Sequence, residues 1–469
     1  MKAAIALLLG CCSVLAEPLS LNRDNPHYFS YHGKPMVIIT SGEHYGAVLN
    51  LDFNFERYLD TLAADQLNGT RTFSGAYVEP SGSFNIARNT LAPASGKFIC
   101  PWARSDVPGY ANGGNKFDLN KWDEAYFKRL KEFVGRAQEK GVIVEMNLFC
   151  PFYDESQWKI SPQNPANNTS HLEVSSRTNV YTLDKNGGLL KYQDAMARKI
   201  VTELNGFDNV YYEVCNEPYF GGVTLDWQHH IAETIVATEK GLPKKHLISR
   251  NVQNGSSQVE NPHPAISIFN FHYASPPVTV GMNYGLNKVI GDNETGFRGT
   301  NDLPYRVEAW SFILAGGGLF NNLDYSFVAG HEGGDFDYPA SQPGGGNPGY
   351  RKELGILRRF MDGFDYVHAK PMPELIKAGL PAGFKSYALG VAGKEYGVYL
   401  GRLGGKDKPE PGAEQTASLQ LGLPDGNYKI QWVNVLTGEK TSAEAKSSAG
   451  LLELKSPTFR DDIAFTVRK

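Results

Sequence analysis

Between residues 35 and 365, short apolar segments alternate with stretches of helical periodicity, and this alternation constrains the fold more than any other feature. Eight segments are typical of buried strands, and they begin at Val37, Asn68, Val142, Val210, His246, Ala265, Lys288 and Gly318. Apolar residues at helical spacing follow most of them, although the connection after Phe271 is long enough only for one turn or an irregular loop. Strands joined by helical crossovers run parallel, because a tight hairpin can join only antiparallel strands.

Eight such strand and helix units are the number found in a TIM barrel. After about residue 366 the helical periodicity ends, and short strands separated by turn signals predict a β-sandwich. We therefore predict an α/β protein with a (β/α)8 TIM barrel over residues 17–365 and a C-terminal β-sandwich over residues 366–469. No Gly-rich or Ser/Thr/Pro-rich linker precedes the sandwich, so it should pack firmly on the barrel.

The first residues are typical of an export signal. A lysine precedes the apolar run 3–9, and residues 14–16 (Val-Leu-Ala) resemble a signal-peptidase site. We predict a signal peptide over residues 1–16 and a secreted or periplasmic protein. A lipoprotein signal with Cys11 as the lipidated residue ranks second, because Leu9 suits that motif poorly.

Composition excludes several classes of function. The net charge of −4 argues against nucleic-acid binding, which needs a clustered basic surface. No later apolar run is long enough to span a bilayer. No Cys/His spacing suggests zinc, and we expect neither a metal nor an organic cofactor. Outside the leader, Cys100, Cys150 and Cys215 leave two alternatives open, a Cys100–Cys150 bridge or three buried thiols.

Two carboxylates mark the candidate chemistry. The fourth strand ends in Asn216-Glu217-Pro218, where proline stops the strand, and Glu294 lies just past the seventh strand. In a TIM barrel the chemistry sits at these C-terminal strand ends, and strands four and seven face each other across the mouth. Such a pair suits glycosidic bond cleavage, in which one carboxyl protonates the leaving oxygen and the other attacks the anomeric carbon.

The order Asn-Glu-Pro after strand four and Glu after strand seven resembles glycoside hydrolase clan A, the retaining TIM-barrel glycosidases that include family 5. The resemblance implies that Glu217 is the acid/base and Glu294 the nucleophile. It also implies that Asn216 contacts the sugar 2-hydroxyl and that Arg71, at the end of strand two, supports the nucleophile. An interior ion pair of Arg71 with Glu213 is the alternative.

The chain departs from the clan pattern at two strands. Many members carry His-x-Tyr on strand six, whereas this chain has His272 and Tyr273 side by side. Both are expected in the site, which requires a β-bulge because neighbouring strand residues point to opposite faces. On strand eight, Tyr325 is the candidate replacement for a tryptophan under the sugar.

Further candidates lie around the mouth. Glu43 or His44, after strand one, is expected to bind a hydroxyl of the innermost sugar, and Trp227 is a candidate stacking platform. The early segment 31–35 and the sandwich resemble apiosidase-like bacterial hydrolases more than cellulases, so cellulose is not the implied substrate. Long loops after strands two, three and eight should wall the mouth, either as a blind pocket or as an open cleft.

The sequence thus predicts a secreted retaining β-glycosidase acting on a plant or microbial polysaccharide or oligosaccharide. Retention predicts carboxyl groups about 5–5.5 Å apart, and inversion about 6.5–9.5 Å. Glu217 should hold a proton and Glu294 should be ionised. The alternative is a non-catalytic carbohydrate-binding protein on the same barrel. A metal-dependent hydrolase would need more ligands than His44 and His272 at the strand ends.

Overall fold

The computed structural model describes residues 17–402 and 412–469. The predicted signal peptide, with Cys11, lies outside the described residues. Eight parallel strands form the barrel, and they are Ile38–Gly42, Gly69–Phe73, Ile143–Phe149, Val210–Cys215, Ile248–Asn254, Ile268–His272, Val289–Glu294 and Leu319–Leu323. Each strand from the second to the seventh pairs with the next along the chain, and the eighth pairs with the first. This arrangement confirms the predicted TIM barrel.

Helices surround the barrel in the predicted order, except that the short helix Glu155–Ile160 lies where the sequence predicts only a loop. They are Phe55–Ala64, Glu124–Glu139, Glu155–Ile160, Leu190–Leu204, Leu225–Glu239, Val278–Asn283, Asp302–Leu314 and Pro348–Asp362. The connection after the sixth strand is the short helix Val278–Asn283, as its limited length predicts. Among the described residues, no helix combines the length and apolar character needed to cross a membrane.

The barrel is closed between its first and second strands by the side chain of Asn68. Its amide oxygen accepts from Ile39 N at 2.8 Å, and its amide nitrogen donates to Val37 O at 2.8 Å. Gly69 follows at the seam, where an added Cβ would lie 2.7 Å from Ile38 Cγ2. The side-chain amide therefore replaces a regular strand ladder where the two strands approach closely.

The C-terminal part is antiparallel. One sheet has six strands, which are Lys370–Pro371, Phe384–Val391, Glu395–Arg402, Asp462–Arg468, Gly426–Val433 and Lys440–Ser447 in spatial order. The other sheet has three strands, which are Ile376–Ala378, Ser418–Gly422 and Leu451–Lys455. Their facing apolar side chains form a separate core, which confirms the predicted β-sandwich.

The sandwich contacts the barrel through buried groups on the helix Asp302–Leu314. Arg306 donates to both carboxylate oxygens of Asp462, at 2.8 and 3.0 Å. Trp310 stacks on Tyr399 at 5.4 Å between ring centroids, and the Tyr399 hydroxyl donates to Asp462. A desolvated ion pair inside an aromatic contact is typical of a permanent interface. The domain boundary at residue 365 itself stays a prediction.

We expect Arg306→Met to lower the free energy of unfolding by about 3–5 kcal/mol, because it leaves the Asp462 carboxylate buried without its cation. Arg198→Met, which removes an exposed helix pair with Asp194, should cost less than about 1 kcal/mol. Urea unfolding of both variants measures the difference. A fragment of residues 17–365 that is soluble and unfolds cooperatively would contradict the firm packing of the sandwich.

Candidate active site

A cavity of about 710 Å³ opens at the C-terminal ends of the barrel strands. Its wall contains both predicted carboxylates, Glu217 and Glu294, together with Asn216, His44 and Tyr273. Both carboxylates are largely buried, at 8% and 6% exposure. The volume lies in the range of small-molecule sites. The barrel therefore brings the two candidate catalytic residues to one enclosed space.

Glu217 lies on a strained turn after the fourth strand. Asn216 still continues the ladder, since its N–H donates to Phe149 O at 2.9 Å, but Glu217 has a φ of 37°. This left-handed conformation is rare for a residue with a side chain. The Glu217 carboxylate accepts hydrogen bonds from the hydroxyls of Tyr153 at 2.5 Å and Tyr219 at 3.1 Å. The turn directs the carboxylate over the mouth, and the two hydroxyls hold it there.

Glu294 is the last residue of the seventh strand and has a different environment. Arg71 Nη1 donates to its Oε2 at 3.1 Å, and the Tyr45 hydroxyl donates to the same oxygen at 3.3 Å. The Tyr273 hydroxyl donates to Oε1 at 2.7 Å. One guanidinium and two hydroxyls thus fix the orientation of this carboxylate.

His272 lies between the two carboxylates. Its Nδ1 is 3.3 Å from Glu217 Oε1 and 3.6 Å from Glu294 Oε1. The pairing of strands six and seven shifts register at His272, and Tyr273 has a φ of 55°. This is the irregularity that the adjacent His-Tyr pair requires, and it lets both side chains reach the site.

Arg71 makes the contacts of both alternatives that the sequence left open, the interior ion pair and the support of Glu294. Besides Glu294, it donates to Glu145 Oε1 at 2.9 Å, to Glu213 and to Asn216 Oδ1 at 2.9 Å. Its side chain is 1% exposed. Burial and the charge of Glu213 raise the pKa of Glu145 above its ordinary value. The guanidinium is at once a core ion-pair centre and a support for Glu294.

The electrostatics of Glu217 differ from the sequence expectation. Burial on its own raises the pKa of this carboxyl, but the hydrogen bond and positive charge of His272 lower it, with help from Tyr153 and Tyr219. The net effect places the pKa below the ordinary value of 4.5. The hydrogen bonds that hold Glu217 in place therefore favour its ionised form in the free protein.

Several predicted site residues lie elsewhere. Glu43 is fully buried and accepts from the Gly46 and Ala47 N–H groups, so it holds the turn after strand one and does not line the cavity. Burial raises its pKa to about 7. Of the two candidates after strand one, only His44 lines the cavity.

Two aromatic predictions are corrected by burial. Trp227 is 0% exposed, and its indole N–H donates to Gln193 Oε1 at 2.9 Å. It lies on the inner face of the helix Leu225–Glu239 and has no free face for a sugar. Tyr325 is 2% exposed and packs behind the lining, with its ring 5.6 Å from that of His44. It supports the wall but does not form it.

Three site residues escaped the sequence analysis. Tyr45 and Tyr153 each lie a few residues past the end of a barrel strand, and this position together with a polar tip was a usable signal. Glu79 also lines the cavity, where Asn89 Nδ2 and the Tyr77 hydroxyl donate to it. It lies within a long loop, and no spacing in the sequence indicates its position.

One oxygen each of Glu217 and Glu294 and one His272 nitrogen lie within 4.8 Å of one another, a donor set that a divalent cation could use. Arg71 and four tyrosine hydroxyls already donate to these carboxylates. The positive charge of Arg71, beside Glu294 Oε2, repels a metal cation at the same place. The surroundings therefore fit carboxylates that act directly better than they fit metal ligands.

The three cysteines are free and buried, which decides against the Cys100–Cys150 bridge. Cys150 lies in the cavity wall, where Asn216 Nδ2 is 3.5 Å from its sulfur. Burial raises the pKa of the Cys150 thiol well above its ordinary value. A protonated thiol of this kind contributes packing and a weak hydrogen bond.

No protein-family model matches the chain, and no curated protein sequence matches it. Solved structures do. A candidate glycoside hydrolase from Bacteroides vulgatus aligns with a TM-score of 0.67 and 13% identity, over 97% of this chain and 82% of that one. A family 5 glycoside hydrolase from the same organism aligns with a TM-score of 0.63 and 12% identity, over 96% and 93% of the two chains.

A further glycoside hydrolase aligns with a TM-score of 0.63 and 12% identity, over 97% of both chains. Such coverage includes the sandwich as well as the barrel. At this level of identity the likeness concerns the fold and leaves the substrate open. The chain therefore has the same fold, a TIM barrel followed by a β-sandwich, as these glycoside hydrolases.

Proposed function

We propose that the protein is a retaining β-glycosidase. The observation that carries the proposal is the pair Glu217 and Glu294, whose nearest oxygens lie within 4.8 Å of each other at the mouth of the barrel. So short a gap between oxygens favours the close spacing of a retaining pair over the wider spacing of an inverting pair. The fold shared with glycoside hydrolases adds support.

Glu294 is the nucleophile in this proposal. Its Oε2 is held by Arg71 and Tyr45, and its Oε1 by Tyr273, so the attacking group is oriented before substrate binds. The carboxylate attacks the anomeric carbon and forms a glycosyl ester, which removes its negative charge. Arg71 keeps its other carboxylate partners, so the guanidinium remains paired in the intermediate.

Glu217 is the acid and then the base. It gives its proton to the leaving oxygen, and in the second half it takes a proton from the water that hydrolyses the ester. In the free protein His272, Tyr153 and Tyr219 lower its pKa, so the protonated form is most abundant under acidic conditions. We therefore expect hydrolysis to be fastest at acidic pH.

The substrate class is a β-linked oligosaccharide or polysaccharide of plant or microbial origin. A cavity that presents carboxylates, an amide and aromatic rings suits sugars, whose hydroxyls need hydrogen bonds and whose C–H faces pack on rings. Phe220 and Phe297, both 43% exposed, lie at its rim. Secretion, by way of the signal peptide at residues 1–16, remains part of the proposal.

Azide rescue distinguishes the two glutamates. Glu217→Ala should lose about 10²–10⁴-fold in kcat/KM on substrates that need protonation. A dinitrophenyl β-glycoside, whose leaving group departs without a proton, should still form the ester on Glu294. Azide needs no general base, so it should restore turnover and give a β-glycosyl azide, identified by NMR. Glu294→Ala should give at most the α-azide, because no ester can form.

The exposed Glu260→Ala is the matched control and should leave hydrolysis unchanged. An α product from Glu217→Ala would show that the two roles are exchanged. If the wild-type protein binds oligosaccharides but hydrolyses none of a panel of aryl glycosides and polysaccharides, the protein is a carbohydrate-binding protein and the proposal fails. Activity that disappears with EDTA and returns with a divalent metal would favour metal-dependent hydrolysis.

The pH profile tests the electrostatics of Glu217. General-acid activity is lost as pH rises through the pKa of this carboxyl, and His272 lowers that pKa. His272→Asn removes the positive charge, so we expect the alkaline limb of the kcat/KM profile to move to higher pH. A limb that stays in place or moves to lower pH would contradict the role of His272 in lowering the pKa of Glu217.

A further inference from the structure

The cavity is walled on one side by the loop after strand two, which is bonded to the loop after strand eight, and Glu79 and His44 line the cavity there. We propose that this enclosed side holds one terminal sugar, so that the enzyme removes single residues from a chain end, and that Glu79 with His44 recognises that sugar. This inference rests on the proposed function and answers whether the mouth is a blind pocket or an open cleft.

The loop that follows strand two lines this side of the cavity, and the loop after strand eight is bonded to it outside the lining. Three hydrogen bonds connect their tips, from Asn85 Nδ2 to Ser341 O at 2.8 Å, from Ala87 N to Gln342 Oε1 at 2.8 Å and from Arg88 to Ala329 O. The Arg88 guanidinium also lies over the Phe336 ring, 5.3 Å from its centroid. A chain of sugars cannot pass between loops that are bonded to each other.

The same loop is tied to the turn after strand one. The Thr90 hydroxyl donates to Glu43 Oε2 at 2.5 Å, and Asn50 Nδ2 donates to Thr90 O at 3.1 Å. Phe84, Asn85 and Arg88 all have positive φ values, between 51° and 58°. Strained residues persist only where the surrounding structure holds them in place. Here the hydrogen bonds to both neighbouring loops do so.

The opposite side of the cavity is open. Its lining there includes Phe220 and Gly222 from the loop after strand four, and Arg177 and Thr178 from the loop after strand three. Phe220 is 43% exposed. In this proposal a longer substrate leaves the cavity in this direction.

The positions of the two carboxylates indicate which sugar occupies the walled side. The nucleophile must reach the anomeric carbon of the sugar that is transferred, whereas the acid must reach the leaving oxygen. Tyr45, a donor to Glu294, has its ring stacked on that of His44 at 5.7 Å. Tyr219, a donor to Glu217, has its ring 5.0 Å from that of Phe220. The transferred sugar therefore lies on the walled side and the leaving group on the open side.

Glu79 and His44 form a built polar site on the walled side. Glu79 is 4% exposed and is oriented by Asn89 Nδ2 at 2.5 Å and by the Tyr77 hydroxyl at 2.9 Å. His44 is 8% exposed, and neither of its ring nitrogens has a hydrogen-bond partner among the described residues. Its Nε2 lies 3.7 Å from Glu79 Oε2, beyond hydrogen-bond length.

A buried polar atom without a partner is costly, and a ligand removes that cost. An imidazole N–H and a carboxylate this close supply a donor and an acceptor to adjacent groups. Sugar hydroxyls, which both donate and accept, fit that pair. On the walled side of the cavity, these two residues can recognise a hydroxyl at the non-reducing end of the transferred sugar.

Product analysis of the wild-type protein is the first test. The probes are hexasaccharides of β-linked glucose, xylose, mannose and galactose that carry a fluorophore at the reducing end. For any hexasaccharide that is cleaved, we expect the labelled pentasaccharide and a free monosaccharide as the first products. Labelled di-, tri- or tetrasaccharide at the earliest time points would overturn the single-sugar pocket while leaving the glycosidase proposal intact.

If neither these probes nor aryl glycosides are cleaved, the proposed function fails and the pocket inference fails with it. The two failures are therefore distinguishable. Breaking the wall gives a second measurement, since Asn85→Ala combined with Arg88→Ala should release internal fragments from the same hexasaccharide. An unchanged product pattern in a folded variant would show that these contacts do not limit the substrate.

The role of Glu79 is tested with analogues of the terminal sugar that each lack one hydroxyl. Glu79→Gln should lower kcat/KM on the complete sugar by about 10- to 100-fold, the size expected for one hydrogen bond to a charged group. On the analogue that lacks the recognised hydroxyl, wild type and variant should be equal. The exposed Glu173→Gln is the matched control. An equal loss on every analogue would assign Glu79 a purely structural role.

Discussion

The ion pairs of Arg71 are the interactions on which the rest of the site depends. Within the barrel, this one guanidinium bonds carboxylates from three strands, Glu145, Glu213 and Glu294, and the amide of Asn216. Its removal would leave these carboxylates buried without a cation, a situation that costs several kcal/mol in other proteins. The same bonds that hold strands together thus orient a carboxylate and an amide at the mouth.

Backbone strain at the mouth is the second structural element of the site. Tyr45, Glu217 and Tyr273 all have left-handed backbone conformations, and each follows the end of a barrel strand. A regular strand end would direct alternate side chains away from the axis. The closed sheet resists relaxation of these turns, so it can keep three polar side chains converging on one point.

The two carboxylates are close together but chemically distinct. Glu294 bonds a permanent cation, whereas Glu217 bonds two neutral hydroxyls and a titratable imidazole. The contacts with His272 lower the pKa of Glu217, whereas Glu294 is held by a guanidinium, which stays charged at any ordinary pH. A difference of this kind is what allows two identical side chains to take separate roles in one reaction.

Local pattern was sufficient for the barrel, the sandwich and the positions of Glu217, Glu294 and Arg71. Strand and helix periods are local, and the C-terminal end of a buried strand can be identified from the strand itself. The prediction for Trp227 was wrong because the residue lies in the first turn of a helix near the mouth. Only the packing of that helix shows which of its faces is buried. Tyr153 and Glu79 reach the site through long loops whose course depends on contacts such as those of Asn85 with Ser341, 256 residues away in sequence. Contacts between distant loops have no period along the chain, so they exist only once the barrel has folded.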